Sequence, residues 1–99
     1  MSALALKDIV ATLRSLGSEN AVMFGIETFA IVGSYARGEA TEKSDIDIAS
    51  RVIGSPSLFD VSRMIKVLAE KLGRNVDLVF PEDMPDYKRD HIMRDYVAL

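Results

Sequence analysis

The sequence predicts an α/β fold in which helices cover a small sheet, in the order helix, strand, strand, helix, strand, helix. Apolar residues recur at helical spacing near the N-terminus and in the middle of the chain, and three short apolar or alternating runs have the period of strands. The chain has 99 residues, of which 48% are apolar and 7% aromatic. That is the length of one domain with a buried core, so we expect residues 1–99 to form a single domain.

Three helices are predicted. The first has a stripe of apolar residues and is expected to end at Gly17, a residue that favours the left-handed conformation; Ser18–Gly25 is harder to interpret. The second begins at Ser57, which forms a capping pair with Asp60, and ends at Gly73. The last covers residues 87–97. The apolar stripes consist of Leu4, Leu6, Ile9, Val10, Leu13 and Leu16 in the first helix, and Leu58, Val61, Met64, Ile65, Leu68 and Leu72 in the second.

Three strands are predicted between these helices. Residues 28–32 are almost wholly apolar, as expected of a strand buried on both faces. Residues 45–49 alternate polar and apolar, and we expect this strand to be short because Ser50 and Arg51 follow it. Residues 76–80 form the third strand, which Pro81 ends.

Composition excludes several classes of function. The chain has 12 basic and 15 acidic residues, a net charge of −3 and no basic cluster, so we expect no extended nucleic-acid surface. Without cysteine, and with His91 as the only histidine, it has no disulfide, thiolate nucleophile or His-rich metal site. No apolar run approaches the roughly 20 residues of a membrane helix, so we expect a cytoplasmic protein without a membrane partner. His91 and Arg94 are expected on the surface.

A small-residue turn, Gly33-Ser34, follows the first predicted strand directly. A turn between a strand and a helix presents backbone N–H groups to a phosphate, and glycine allows that phosphate to approach closely. Taken alone, the pattern is also typical of a plain turn. Arg37 could reach the same phosphates or pair with a nearby acid such as Glu39. We expect Tyr35 to pack in the core and Ser44 to orient Asp45 or close the turn before its strand.

Asp45 and Asp47 lie two positions apart in the second predicted strand. Their side chains point to one face, roughly 6–7 Å apart, while Ile46 and Ile48 point to the core. Adjacent carboxylates repel, so folding alone does not explain the pair, whereas Mg²⁺ ligation does. An exposed strand edge with incidental charges is the alternative. Asp77 is a lone acid in the third strand, either a further ligand on the same face or a solvated edge residue.

Together these segments carry a resemblance. Val32-Gly33-Ser34, ten further residues and then Asp45-Ile46-Asp47-Ile48 are similar to the signature of the DNA polymerase β nucleotidyltransferase superfamily. The stretch 33–47 resembles its minimal nucleotidyltransferase branch, and 75–79 resembles the segment that holds the third acid of that branch. The resemblance covers about residues 27–80 and implies a polymerase β-type core with a small mixed sheet.

The resemblance implies a role for each site residue. Gly33 and Ser34 would hold the β- and γ-phosphates of ATP, and Arg37 is a further candidate for nucleotide binding. Asp45 and Asp47 would ligate two Mg²⁺ ions, for which Mn²⁺ is an alternative, and Asp77 would ligate the catalytic ion. The metals would polarise the α-phosphate. Asp77 is also the best candidate to accept the proton of the attacking hydroxyl.

The acceptor of the nucleotide is the most open question. About twenty residues follow Asp77, too few to build walls around a base, so the walls would come from a second copy of the chain in a homo-oligomer, from a partner protein, or not at all. The first hypothesis follows from the minimal branch, whose members resemble antitoxins that silence a HEPN-type ribonuclease toxin by transferring AMP from ATP to its tyrosine. A small-molecule hydroxyl acceptor is the second hypothesis. A catalytically silent module that occludes its partner is the third.

Overall fold

The computed structural model describes residues 4–99 and confirms the predicted α/β class. Two elements were not in the predicted order, a short second helix and a fourth strand. In chain order the elements are α1 (Leu6–Phe24), β1 (Ile26–Val32), α2 (Gly33–Ala36), β2 (Ile46–Val52), α3 (Leu58–Leu72), β3 (Val76–Val79), a 3₁₀ turn (Pro81–Asp83), α4 (Asp86–Ile92) and β4 (Val97–Ala98).

The four strands form one mixed sheet in the order β3-β2-β1-β4. β1 pairs antiparallel with β2 on one side and with β4 on the other. β2 and β3 are parallel, because α3 carries the chain back to the starting end of the sheet between them. The first residues of β2 and β3 and the last residues of β1 therefore lie together, at the edge of the sheet that the strand ends form.

Both faces of the central strands are covered. On one face the main core joins α1 and α3 to the sheet, through Ile9, Leu13, Ile31, Ile46, Ile48, Met64 and Leu68 among others. A smaller cluster lies on the opposite face, where α4 and the residue after it pack on the strands; it comprises Ala30, Val32 and Ala49 with Phe29, Val79, Ile92 and Met93. This two-sided burial explains the continuous apolar run of β1.

The predicted end of the first helix at Gly17 is wrong. α1 continues to Phe24, and the left-handed residue that ends it is Gly25, with φ 71° and its N–H bonded to the carbonyl of Ala21. A glycine within a helix costs about 1 kcal/mol relative to alanine. Burial of Asn20 and Phe24 beyond Gly17 favours continuing the helix in spite of that cost.

The expectation of a short second strand is also wrong, since β2 extends to Val52. Ser50 is fully buried, and Arg51 lies opposite Glu27 on β1, with 3.3 Å between its Nε and the Glu27 carboxylate. The Arg51 guanidinium also lies 4.4 Å from the centre of the Phe29 ring. β1 therefore supplies partners for Arg51, whereas the buried Ser50 hydroxyl donates a hydrogen bond to the Ile48 carbonyl of its own strand at 3.3 Å.

Two further expectations about apolar residues and helix length fail. Leu58, predicted on the buried stripe of α3, is the first residue of the helix and is 86% exposed. The last helix ends at Ile92 rather than reaching residue 97. Val97 and Ala98 instead pair with Ile31 and Ala30 of β1, since an added strand satisfies the backbone groups on the free edge of β1.

The described part of the chain contains no helix long and apolar enough to cross a membrane.

The predicted cap and end of α3 are confirmed. The Ser57 hydroxyl accepts a hydrogen bond from the Asp60 N–H at 3.2 Å, and the Asp60 carboxylate accepts one from the Ser57 N–H at 2.8 Å. Gly73 ends the helix with φ 69°.

We predict that Ser57→Ala lowers the free energy of unfolding by about 1 kcal/mol, because it leaves the first turn of α3 without one of its two capping bonds. Ser62→Ala, an exposed substitution within the same helix, is the matched control and should be neutral or slightly stabilising. Urea unfolding followed by circular dichroism measures both. Equal stability of the two variants would contradict the role of the cap.

Candidate active site

The junction of β1 and α2 forms one wall of the candidate site. β1 ends at Val32, and Gly33 turns the chain into α2 with φ 73°, a conformation that glycine adopts without strain. The carbonyl of Gly33 accepts a hydrogen bond from the N–H of Arg37 at 3.1 Å, which closes the single turn of the helix. Ser34 follows Gly33 and is half-buried.

The three predicted aspartates lie at the same edge of the sheet. Asp47 of β2 is the register partner of Asp77 in the parallel β2–β3 pair, and Asp45 lies two positions ahead of Asp47, immediately before β2 begins. Ile46 and Ile48 are fully buried in the main core, so the aspartate positions belong to the other face by strand alternation. Register partners in neighbouring strands are roughly 4.8 Å apart, so Asp47 and Asp77 are neighbours across the sheet.

The electrostatics of this edge are dominated by negative charge. Burial raises the pKa of Asp47, and the charges of Asp77 and then Asp45 raise it further, while the Arg37 guanidinium acts in the opposite direction. Asp47 is half-buried, whereas Asp45 and Asp77 are exposed. The site thus concentrates like charges that one nearby cation only partly offsets.

Gly33 and Asp47 fit against each other closely. A Cβ placed on Gly33 would overlap Oδ2 of Asp47 and would lie 3.2 Å from its Cγ. A side chain at this position would therefore strain the backbone and displace the Asp47 carboxylate. The turn and the acid form one compact unit, although they are separated by fourteen positions in the sequence.

Arg37 forms the expected ion pair with Glu39 and also lies beside the candidate site. Its Nε lies 3.4 Å from the Glu39 carboxylate, in an ion pair whose side chains are 45% and 66% exposed. It also lowers the pKa of Asp47 and lines the cavity beside it, so the pair with Glu39 does not remove it from the site.

Ser44 closes the turn before Asp45, since its hydroxyl accepts a hydrogen bond from the Thr41 N–H at 2.8 Å. Tyr35 packs in the core and is 4% exposed.

A cavity of about 200 Å³ lies between the turn, the sheet and α4. Gly33, Arg37 and Asp47 line it, and α4 contributes His91 and Ile92. His91 was predicted to be a surface residue. It is exposed, yet it borders the candidate site, and no sequence pattern indicated that α4 folds back over the sheet. Two larger depressions, of about 420 and 410 Å³, run along α3 and include none of the three aspartates.

The side chains at this edge have the chemistry of a magnesium site. Carboxylate oxygens are the ligands that Mg²⁺ prefers. Burial first, and then the charges of Asp77 and Asp45, raise the pKa of Asp47, and a divalent cation would neutralise that charge. Among residues 4–99, no three His, Cys, Asp or Glu side chains are already gathered as a ligand set for one ion. The ligand roles of the three aspartates remain predictions.

The strand–Gly-Ser–helix unit beside an Asp-x-Asp strand, with a third acid on the parallel neighbour, is the arrangement that the resemblance to nucleotidyltransferases predicts. The model of the nucleotidyltransferase domain family matches residues 6–99. The chain therefore belongs to that family and is an enzyme of this class. This result confirms the resemblance on which the site residues were predicted.

Comparison with individual proteins agrees with this assignment. The chain is 33% identical over 97 residues to the protein adenylyltransferase MntA of Thermococcus cleftensis, a match that covers 98% of each chain. A solved structure described as a minimal nucleotidyltransferase superposes over the full length of both chains, with a TM-score of 0.79 and 27% identity. The fold also matches the structure of a Shewanella oneidensis MNT antitoxin in complex with a tri-AMPylated HEPN toxin, with a TM-score of 0.66 and 18% identity over 93% of this chain and 69% of that one.

We predict that Gly33→Ala is more destabilising than Gly38→Ala. Both glycines have φ 73°, so both substitutions carry the same backbone strain, but only at Gly33 does the new methyl group meet the Asp47 carboxylate. The extra loss should be roughly 1–3 kcal/mol, as for other overpacked sites. Thermal unfolding measures it, and the double variant Gly33→Ala with Asp47→Ala should recover most of it. If the two alanine variants are equally stable, the close fit is refuted.

A second prediction concerns Asp47→Asn and pH. The native pKa of Asp47 is raised, so the native state binds more protons than the unfolded state between the ordinary pKa of about 3.8 and the raised value. Ionisation of Asp47 therefore destabilises the fold above that window. Asp47→Asn should stabilise the protein at pH 7 in EDTA, by roughly 0.2–1 kcal/mol as for cross-strand pairs, and the difference should vanish below the ordinary pKa. Urea unfolding across pH 3–7 measures this, and a variant less stable than wild type at pH 7 would contradict the prediction.

Proposed function

We propose that this enzyme transfers AMP from ATP, in a reaction that depends on Mg²⁺, to a tyrosine of a HEPN-type toxin protein, and so acts as an antitoxin. The observation that carries the proposal is the register pairing of Asp47 with Asp77 next to the Gly33 turn, with Asp45 two positions away. This arrangement supports a single site in which phosphates, metal and acceptor hydroxyl meet. Residues 1–99 would act as one nucleotidyltransferase domain.

Each residue has a role in this proposal. The backbone at Gly33 and the hydroxyl of Ser34 hold the β- and γ-phosphates, and Arg37 adds a positive charge near them. Asp45 and Asp47 would hold two Mg²⁺ ions, and Asp77 would be a further ligand. Bound Mg²⁺ would polarise the α-phosphate and neutralise the leaving pyrophosphate.

The proton and bond changes balance with the groups available. Asp77 accepts the proton of the tyrosine hydroxyl, whose oxygen forms a bond to the α-phosphorus of ATP. The bond between that phosphorus and the oxygen bridging to the β-phosphate breaks, and pyrophosphate leaves with its electron pair. The protein's contribution is mainly to hold acceptor and nucleotide in line.

The open shape of the site supports a protein acceptor. Pockets that enclose a small ligand measure roughly 300–1,000 Å³, whereas the cavity beside Asp47 measures about 200 Å³. A nucleotide bound there would extend beyond it, and a partner covering the exposed part would complete the pocket while delivering its tyrosine. The names of the relatives agree with this proposal: one is a protein adenylyltransferase, and another is an antitoxin in complex with an AMPylated toxin.

Co-expression with a HEPN-type toxin encoded by a neighbouring gene tests the proposal. We expect mass spectrometry to find AMP on a toxin tyrosine with the wild-type enzyme and none with Asp45→Asn, because the amide is a poor ligand for Mg²⁺. Asp8→Asn, an exposed acid in the first turn of α1, is the matched control and should modify the toxin like wild type.

The alternatives give different results in the same experiment. An unmodified toxin that the Asp45→Asn variant still neutralises would refute the proposal in favour of an occluding binder. Transfer to small hydroxyl compounds, with the toxin left unmodified and active, would refute it in favour of a small-molecule nucleotidyltransferase.

A further inference from the structure

α4 brings a second nitrogen-bearing side chain to the site besides Arg37. The helix is fixed on the sheet by Ile92, which packs with the cluster around Val32 and Ala49. His91, its neighbour in sequence, is thereby held at the rim of the cavity that Gly33, Arg37 and Asp47 also line. In the described part of the chain no hydrogen bond or ion pair engages the imidazole, so the side chain is available to a ligand.

The chemistry of an imidazole fits a phosphate oxygen. In the neutral form it has one N–H donor and in the protonated form two, so it can donate in either state. The groups that share the cavity with His91 are the Gly33 turn and the Arg37 guanidinium, both suited to an anion, whereas Asp47 offers no donor. A hydrogen bond from His91 to Asp47 would leave the carboxylate less free for a metal, while one to a phosphate oxygen adds a donor where the chain has few.

We propose that His91 is a nucleotide-contacting residue, whose imidazole N–H donates a hydrogen bond to the triphosphate bound between the Gly33 turn and α4. The inference rests on the proposed function, since it requires a nucleotide in this cavity. It goes further by giving the last helix a part in binding. The chain itself then supplies one wall of the nucleotide site, and a partner need cover only the remainder.

The single histidine makes a direct test available. The imidazole resonances of the whole protein in an ¹H–¹⁵N spectrum belong to His91 alone. We expect them to shift when Mg²⁺ and AMP-PNP, an ATP analogue with an imido bridge between its β- and γ-phosphates, are added without an acceptor, and to remain in place with adenosine, which lacks phosphates. Calorimetry should give a dissociation constant for Mg²⁺–AMP-PNP that is roughly 10-fold higher for His91→Ala, as expected for one hydrogen bond to a charged group.

Two further variants in α4 distinguish a direct contact between His91 and the nucleotide from an effect on the structure of the helix. His91→Gln keeps an N–H donor and should recover most of the affinity, and Lys88→Ala, an exposed substitution one turn earlier, should bind like wild type. Unchanged thermal stability of all three would show that α4 remains in place.

The outcomes distinguish the two proposals. If wild type binds Mg²⁺–AMP-PNP and Asp45→Asn does not, yet the imidazole resonances stay in place and His91→Ala binds normally, the role of His91 is refuted and the proposed function stands. Equal shifts with adenosine would refute the phosphate contact. If wild type binds no nucleotide, the proposed function fails and the role of His91 with it.

Discussion

The parallel pairing of β2 with β3 is the constraint on which the site depends. It sets Asp47 beside Asp77, two like charges that would separate if only their own interaction mattered. The pairing holds because the other face of β2 is anchored: Ile46 and Ile48 are fully buried under α1 and α3. Burial of this apolar surface stabilises the fold by roughly 25 cal/mol per Å² and so opposes the repulsion between Asp47 and Asp77 on the other face. The helix α3 sets the direction of β3, which runs parallel to β2.

Other parts of the molecule act on this same edge. The Gly33 turn lies so close to Asp47 that a Cβ on Gly33 would overlap the carboxylate, so the turn and the acid are direct neighbours. Arg37 lowers the pKa of Asp47 without neutralising the site. α4, seated on the opposite face of the sheet from α1 and α3, places His91 over the cavity. The three carboxylates leave an excess of negative charge at this edge, which a divalent cation would neutralise.

Much of this could be predicted from the sequence, because its strongest signals are local. The strand alternation of Asp45-Ile46-Asp47-Ile48, the capping pair Ser57–Asp60 and the order of the main elements each depend on neighbours in the chain. The failures came where a distant segment decides. Burial of Phe24 overrides Gly17 as a helix end, and β1 draws both the polar end of β2 and residues 97–98 into the sheet. The position of His91 depends on how α4 packs, which no periodicity encodes.

The central claim is that the three aspartates bind nucleotide only through a divalent cation. Isothermal titration calorimetry of ATP, with Mg²⁺ and then in EDTA, tests it most directly for wild type and for the Asp45→Asn, Asp47→Asn double variant. Unneutralised carboxylates repel a triphosphate, so wild type should bind ATP with Mg²⁺ and lose that binding in EDTA, and the double variant should gain nothing from Mg²⁺. Equal affinity of wild type for ATP with Mg²⁺ and in EDTA would contradict the account.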